Sequence, residues 1–550
     1  DTISTWEWSD QRPGLHSLKI IAVCSHIRFY QFLYLYTILN SNDIEGSEWG
    51  LQTLSSVAST IIYDEHYKNS NLLSTQYYCH KKLKYRILVD APSIRLSGHS
   101  VPISIHLMKI NDKKDESLLK MNVRVNLYVH CNTDLGLVKT SPVENLVILR
   151  RGVGLIIIDA IHLTTSSCTI EAKLYKKKNH SCLVKATVLE QQQHQPFIAA
   201  ITTTTQTQTN SNSVYLPKDI TESIQIPSGM IIYLHKDGLK INITGYFDIC
   251  DSSIIIVSPN SSITIINGEL RIGLKCNTAT TAAVTNAHRS SMITTADPTL
   301  HWGGIEIFGT LKLYSVYIIQ STGSNDDDDD DDDGGSQNEH CSNVRIVLNT
   351  HNNGTLLLDH SYLLGGNHKK IQEPIISPRG IVGNNVKLIN ISYSILSSLS
   401  VGINVKNSNL LIHDSTFMNF YGLSEDHDGM YIVGGRTIIK DTTVSGAKDD
   451  CIDSGTGPGG NIQILNSFVE YCMHEGIAIS DNGWGTSKLI QIDNSIVSHC
   501  QQGIELGFST HLLLLTIKNV TFRTNDIGLR IGDNYNWAKY NGHVKCINCI

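Results

Sequence analysis

The sequence predicts an all-β chain whose C-terminal part is a parallel β-helix preceded by a β-sandwich. Three observations predict it: isoleucines recurring about every 25 residues beyond residue 400, short alternating strands between residues 81 and 190, and a polar low-complexity stretch between the two. At 550 residues the chain is too long for one compact core, so several domains or one elongated repeat body is expected. With 41% hydrophobic and 17% charged residues it has enough apolar material to fold.

In chain order, residues 1–80 show no period and stay unassigned. The apolar stretch 18-LKIIAVCSHIRFYQFLYLYTIL-39 is interrupted by His26, Arg28 and Gln31, which argues against a transmembrane segment and leaves a buried helix or a leader as the expectation. Residues 81–190 hold 85-YRILVDAP-92, 101-VPISIHLMKI-110, 121-MNVRVNLYVH-130, 153-VGLIIIDAIHL-163 and 182-CLVKATVL-189. Alternating strands parted by polar turns describe an Ig-like antiparallel sandwich. Residues 191–213, which include 202-TTTTQTQTNSNS-213, read as a linker.

Residues 214–550 carry the repeat. Aligning 410-LLIHDSTF-417, 437-TIIKDTTV-444, 462-IQILNSFV-469, 490-IQIDNSIV-497 and 515-LTIKNVTF-522 puts Ile412, Ile439, Ile464, Ile492 and Ile517 in one column. Two residues later stand Asp414, Asp441, Asn466, Asn494 and Asn519. A second column runs through 401-VGINV-405, 428-DGMYI-432, 450-DCIDS-454, 475-EGIAI-479, 502-QGIEL-506 and 527-IGLRI-531. Two short strands per repeat with isoleucines in register describe a parallel β-helix whose coils stack about 4.8 Å apart. The Asn/Asp column is expected to form an internal hydrogen-bonded ladder along the axis. Insertions are expected at about 276–300 and at the run Asp326–Asp333, where loops can leave a solenoid without breaking its core. The last residues, 543-HVKCINCI-550, read as a further strand with no polar cap, so a longer natural chain is expected.

The net charge of -7 is carried by the eight consecutive aspartates of that run, and no clustered Lys/Arg stripe is present, which argues against a nucleic-acid partner. The 13 cysteines show no zinc-type pair of pairs. Sequons at Asn179, Asn242, Asn260, Asn353, Asn390 and Asn519 point to a secreted protein or an extracellular surface.

Register, independently of any family, brings acids together. Asp428, Asp450 and Glu475 hold one place on three successive coils, and His427, Asp449 and His474 hold the place before it. Carboxylates one coil apart repel, so a pKa rises, a cation intervenes, or the side chains splay into water. Asp428, Asp449, Asp450, His474 and Glu475 are therefore the candidate catalytic residues; Asp426, Asp428, Asp450 and Asp453 are the candidate ligands of calcium, the one cofactor left open and not a required one. Asp and Gly are also ordinary turn formers, and a purely structural role stands beside both readings. Tyr431, Trp484 and Arg530 are candidate sugar contacts, although Arg530 is placed to pair with Glu505 on the neighbouring coil. His427 and His474 flank Asp449 without a third nitrogen or a cysteine in register, which disfavours zinc.

These residues resemble the right-handed parallel β-helix proteins of the pectin-lyase-like superfamily over about residues 215–550. The Asp-rich lines 426-DHDGMYIVGG-435 and 449-DDCIDSG-455 are similar to the β-helix domains of CotH-type proteins. A second likeness is to polygalacturonases: 426-DHDG-429 stands where that family has Asn-Thr-Asp, Asp449 and Asp450 where it has Asp-Asp, and 473-MHEG-476 where it has Gly-His-Gly. Asn-Thr is absent, Met473 replaces the first glycine, and Arg530-Ile531-Gly532 lacks the lysine of Arg-Ile-Lys and lies two coils past His474. The resemblance implies a polysaccharide or cell-wall glycan as partner and hydrolysis as the reaction. A calcium-assisted lyase or a non-enzymatic surface or adhesive rod are the alternatives.

Overall fold

The computed structural model describes residues 14–24, 27–37, 62–63, 85–92, 94–96, 101–110, 116–118, 123–133, 136–139, 144–158, 167–174, 198–201, 213–234, 240–259, 261–274, 276, 290–295, 302–320, 346–365, 378–420, 427–455, 460–481, 488–531 and 540–550. These residues are strands and turns, with no α-helix, so nothing among them is a helix long and apolar enough to cross a membrane. The chain divides into two compact units, one of Asp1–Arg86, Met108–Leu119 and Lys176–Gln191, the other of Ile87–Leu107, Lys120–Tyr175 and Gln192–Ile550. In the first, Gly14–Cys24 pairs antiparallel with Ile27–Thr37. The stretch expected as a buried helix therefore contains two paired strands, which its aromatic and β-branched residues suit.

In the second unit, residues from Ser213 to the end form a parallel β-helix. Strands from successive coils stack into three parallel faces, each twelve strands deep and beginning at Ser213–Tyr215, with the long strand Gln502–Lys518 shared by two of them. The isoleucine column is its core: Ile412, Ile439, Ile464, Ile492 and Ile517 are all fully buried and pair in register. The aspartate run lies outside the described residues; of the insertion expected at 276–300, Ser291–Thr295 is instead a buried strand of the solenoid, paired with Ile254–Val257 and Val316–Gln320, and most of the rest lies outside the described residues.

Two expectations are corrected. Each coil has three strands, not two, because the column of Asp414, Asp441, Asn466, Asn494 and Asn519 adopts left-handed φ values near 50° and breaks each aligned segment. Asn and Asp tolerate that conformation better than other side chains. The same column lies on the outside of the bend, where Asn519 Nδ2 donates to Asn494 Oδ1 at 2.8 Å and Asn548 Nδ2 to Asn519 Oδ1 at 3.1 Å. The internal ladder is built by the next residue. Ser361 N donates to Ser394 Oγ, Ser394 N to Ser415 Oγ, Thr442 N to Ser467 Oγ and Ser467 N to Ser495 Oγ, all at 3.0–3.2 Å in buried surroundings. Ser467→Ala would strand the Thr442 amide, so a loss of about 1–3 kcal/mol is expected in chemical denaturation. Ser467→Thr keeps the hydroxyl, as Thr442 does one coil earlier, and should cost little.

Ahead of the solenoid, Val101–Ile110 pairs antiparallel with Val153–Ile158, and Val123–Thr133 pairs antiparallel with Glu144–Leu149 and Ser167–Leu174. Val101–Leu107 is covered on both faces. Ile103, Ile105 and Leu107 are buried with the apolar side chains of the strands, while the Ser104 hydroxyl meets Tyr317 of the solenoid at 3.1 Å. Beside it, Asp90 accepts hydrogen bonds from Ser290 Oγ at 2.9 Å and Tyr317 Oη at 3.2 Å. Burial pushes the Asp90 carboxyl up to about 6 against the pull of hydrogen bonds from Ser290, Tyr317 and Tyr362. Burial also pushes His106, 6.5 Å from Tyr362, down to about 4.

The two shifts oppose each other. Asp90, raised in the folded chain, costs stability as pH climbs from 3.8 to about 6, whereas His106, lowered, costs stability as pH falls from 6.5 to about 4. Asp90→Asn removes only the first cost. It should melt above the wild type near pH 7 and lose that advantage near pH 4, which a pair of melting curves at each pH decides.

Candidate active site

The acid column lies at the corner where one coil passes into the next. Met430 pairs with Ile452 and Ile452 with Ile477, which fixes Asp428, Asp450 and Glu475 at one level on successive coils. Their side chains are buried, and the column continues into buried Gln502. Asp428 Oδ1 accepts from the Asp450 amide at 3.2 Å, Asp450 Oδ1 from the Glu475 amide at 2.8 Å, and Glu475 Oε1 from Gln502 Nε2 at 2.5 Å. Each acid thus ties its coil to the following one.

The neighbouring column supplies the open side. Asp449 and His474 are partly exposed, and His474 Nδ1 lies 3.3 Å from Asp449 Oδ1 and 3.7 Å from Asp450 Oδ1, with the Glu475 carboxylate in direct contact. Hydrogen bonds to Asp449 and Glu475 push the imidazole up to about 10. His474 is a fixed cation at neutral pH, and it cannot act there as a base. Burial raises Glu475, but bonds from His474 and Asp450 and the imidazolium charge outweigh it and hold the carboxyl low. Asp450 is raised well above the usual range by burial first, then by the hydrogen bond and charge of Glu475, with Asp453 and Asp428 adding to it. One imidazolium cannot neutralise three neighbouring carboxylates, so the buried one without direct contact to it keeps its proton.

The network reaches further than the sequence columns. Arg530 Nη1 donates to Gln502 Oε1 at 3.3 Å and lies 3.8 Å from Glu505. Gln502 therefore carries Arg530, two coils beyond His474, into the same chain of contacts. Gln502 is a site residue that the acid columns do not include, although its place in the 502-QGIEL-506 line puts it directly below Glu475. Tyr431 and Asp453 pair with each other in the outward row that runs beside the column through Ala478 and Glu505 to Arg530. A Cβ on Gly455 would fall 2.6 Å from the Tyr431 ring, so the ring rests over that glycine. Trp484 and Asp426 lie outside the described residues.

Of the expected calcium set, Asp426 lies outside the described residues, and among the described ones a different group converges. Asp449, Asp450, His474 and Glu475 place ligand atoms within 4.8 Å of one another, without Asp428 or Asp453. Asp428 spends Oδ1 on an amide, and Asp453 sits in the outward row. Calcium takes six to eight oxygens. Three carboxylates and an imidazole are fewer oxygen donors than that by themselves, and His474 stands among them as a counter-ion when protonated.

The coil bearing Asp450 is closed on itself by a disulfide between Cys451 and Cys472, 21 residues apart. Closing a loop of that size is worth about 3 kcal/mol in the chain-entropy account. It also anchors both ends of the acid corner, since Cys451 adjoins Asp450 and Cys472 lies two residues before His474.

No family model and no curated protein matches this chain. Solved structures similar to it in part include two β-helix enzymes. A double mutant of the periplasmic alginate epimerase AlgG is 12% identical, with a TM-score of 0.31, over 59% of this chain and 84% of its own. The A-module of the Azotobacter vinelandii mannuronan C-5 epimerase AlgE6 is 8% identical, with a TM-score of 0.26, over 58% of this chain and 90% of its own. Likenesses this weak add nothing to the parallel β-helix already read from the stacked strands.

Proposed function

We propose that this chain is an extracellular β-helix protein that processes a polysaccharide by hydrolysis at the corner formed by Asp449, Asp450, His474 and Glu475, with residues 81–190 as an Ig-like module. The observation that carries this reading is geometric: Asp449, Asp450, His474 and Glu475 bring their polar atoms within 4.8 Å of one another, where burial and Glu475 push Asp450 up and His474 holds Glu475 low. Paired carboxyls with divergent proton affinities are what acid-base cleavage of a glycosidic bond requires. Asp450 is the proton donor to the leaving oxygen, Glu475 is the ionised second carboxyl, and the His474 imidazolium holds Glu475 and Asp449 in place.

Secretion is supported by disulfides at Cys250–Cys276, Cys451–Cys472 and Cys546–Cys549, which persist in oxidising compartments. The sequons support it less. Asn242 and Asn519 use their amide nitrogens in hydrogen bonds to Asp219 and Asn494.

The second reading, a non-enzymatic rod, is favoured by the hydrogen bonds that Asp428, Asp450 and Glu475 make between coils. Reducing-end release from a panel of plant, algal and microbial polysaccharides separates the two. Product from a well-folded chain, retained in chelator, supports hydrolysis; no product across the panel supports the rod.

A further inference from the structure

One of the six sequons stands apart from the rest. Asn179 and Asn260 lie outside the described residues. Asn242 and Asn519 spend their amide nitrogens on Asp219 and Asn494, and Asn390 stands mid-strand in Leu388–Ser392 with its Oδ1 buried. Asn353, in 351-HNNGT-355, is exposed, and its side chain enters no hydrogen bond among the described residues. The register explains that exposure. Ile307 pairs with Thr350 and Thr310 with Thr355, so Phe308 and Gly309 turn the corner on one coil where four residues, His351 to Gly354, turn it on the next. Four residues cannot follow a path cut for two, and the surplus bulges from the wall into water.

The bulge is held at its base. His351 N donates to the Ile307 carbonyl at 2.9 Å, Gly354 N to the His351 carbonyl at 2.8 Å, and Asn353 N to the Asn385 carbonyl of the following coil at 3.1 Å. Asn385 Nδ2 in turn donates to Asn352 Oδ1 at 3.2 Å. Asn353 has a φ of 62°, a left-handed value that asparagine tolerates. An apolar strip reaches the bulge at His351, two residues before Asn353. Phe308 is 41% exposed and lies flat on the His351 imidazole, with centroids 4.0 Å apart and planes within 6°. Ile266, 37% exposed, follows Ile265 as Phe308 follows Ile307, its partner one coil on, so the strip extends back along the corner.

We propose that Asn353 carries an N-linked glycan whose first sugar lies over the stacked Phe308 and His351 rings. The co-substrate is a lipid-diphosphate-linked oligosaccharide. The Asn353 amide nitrogen loses a proton and bonds to the anomeric carbon, whose bond to the diphosphate oxygen breaks, and the lipid diphosphate leaves. Thr355 completes the acceptor motif. An aromatic face offers a large apolar area to whatever covers it, and covering Phe308 takes that area out of water. The glycan rests on the secretion reading; the geometry of the corner does not.

Expression of the full chain behind a signal peptide in a eukaryotic cell line tests it. Enzymatic deglycosylation in heavy-oxygen water, followed by peptide mass spectrometry, reads each sequon: labelled aspartate is expected at position 353 and unmodified asparagine at position 390. Asn353→Asp, which keeps a residue tolerant of the left-handed backbone, and Thr355→Val should each lose one glycan from the intact mass. Hydroxyl-radical footprinting reads the cover. Oxidation of Phe308 should be low in the glycosylated chain and rise in Asn353→Asp. An unmodified Asn353 overturns the proposal, whether the chain is exported or retained, and equal Phe308 oxidation with and without the glycan overturns its placement. Export of a chain bare at Asn353 leaves the secretion reading standing. Retention of a chain modified at Asn353 supports the site and counts against secretion, so the two failures are told apart.

Discussion

Asp450→Asn is expected to lower turnover of a susceptible polysaccharide by about 10²–10⁴-fold, the range lost with a general acid, while the chain melts at or above the wild-type temperature. The two halves follow from different oxygens of one side chain. Asparagine keeps the Oδ1 that accepts from the Glu475 amide, so the tie between coils survives. What disappears is the transferable proton. The stability sign follows from linkage: a carboxyl raised in the folded state costs stability as pH rises from its unfolded value of 3.8 toward the raised one. The variant carries no such cost, so its advantage should appear near neutral pH and vanish below about pH 4. Wild-type activity should fall as pH climbs through the Asp450 pKa, and residual activity of the variant should lose that limb. Full activity in Asp450→Asn would remove the carboxyl from catalysis and leave it as a link between coils.

Much of this was readable before any coordinates. Isoleucine at a fixed step specifies a stacked core because only stacking places the same residue type at the same depth in every coil. The register of Asp428, Asp450 and Glu475 followed from the same alignment. What the alignment missed depended on backbone conformation or on distant sequence. The third strand was hidden because 410-LLIHDSTF-417 alternates as one strand, while Asp414 at φ 49° breaks it in two. The ladder was assigned to the amide side chains when their left-handed backbone turns them outward and leaves Ser415 and its equivalents inside. No local pattern could pair Arg151 with Glu470, 319 residues later.

That pair carries the other large effect. Arg151→Gly is expected to destabilise the chain by about 3–5 kcal/mol, the usual result of leaving a buried charge without its partner. Glu470 is 1% exposed and receives Arg151 Nη2 at 2.9 Å, with the guanidinium stacked 4.2 Å above the Phe468 ring. The arginine is delivered by a tight turn in which Arg151 and Gly152 both have positive φ, 49° and 81°, and Arg150 and Val153 exchange backbone hydrogen bonds. Glycine relaxes that backbone, so any loss measured for Arg151→Gly comes from the missing side chain and not from strain. Arg150 reinforces the contact through Ser445 at 2.7 Å and the Tyr471 ring. Replacing both partners, Arg151→Gly with Glu470→Gln, should recover most of the loss in urea denaturation, because the stranded charge is gone. A single variant as stable as the wild type would mean that water reaches Glu470. Since Glu470 stands two residues before Cys472, whose disulfide adjoins Asp450, the single variant should also loosen the acid corner. The double variant should restore it, which separates a mechanical role for this clamp from a chemical one.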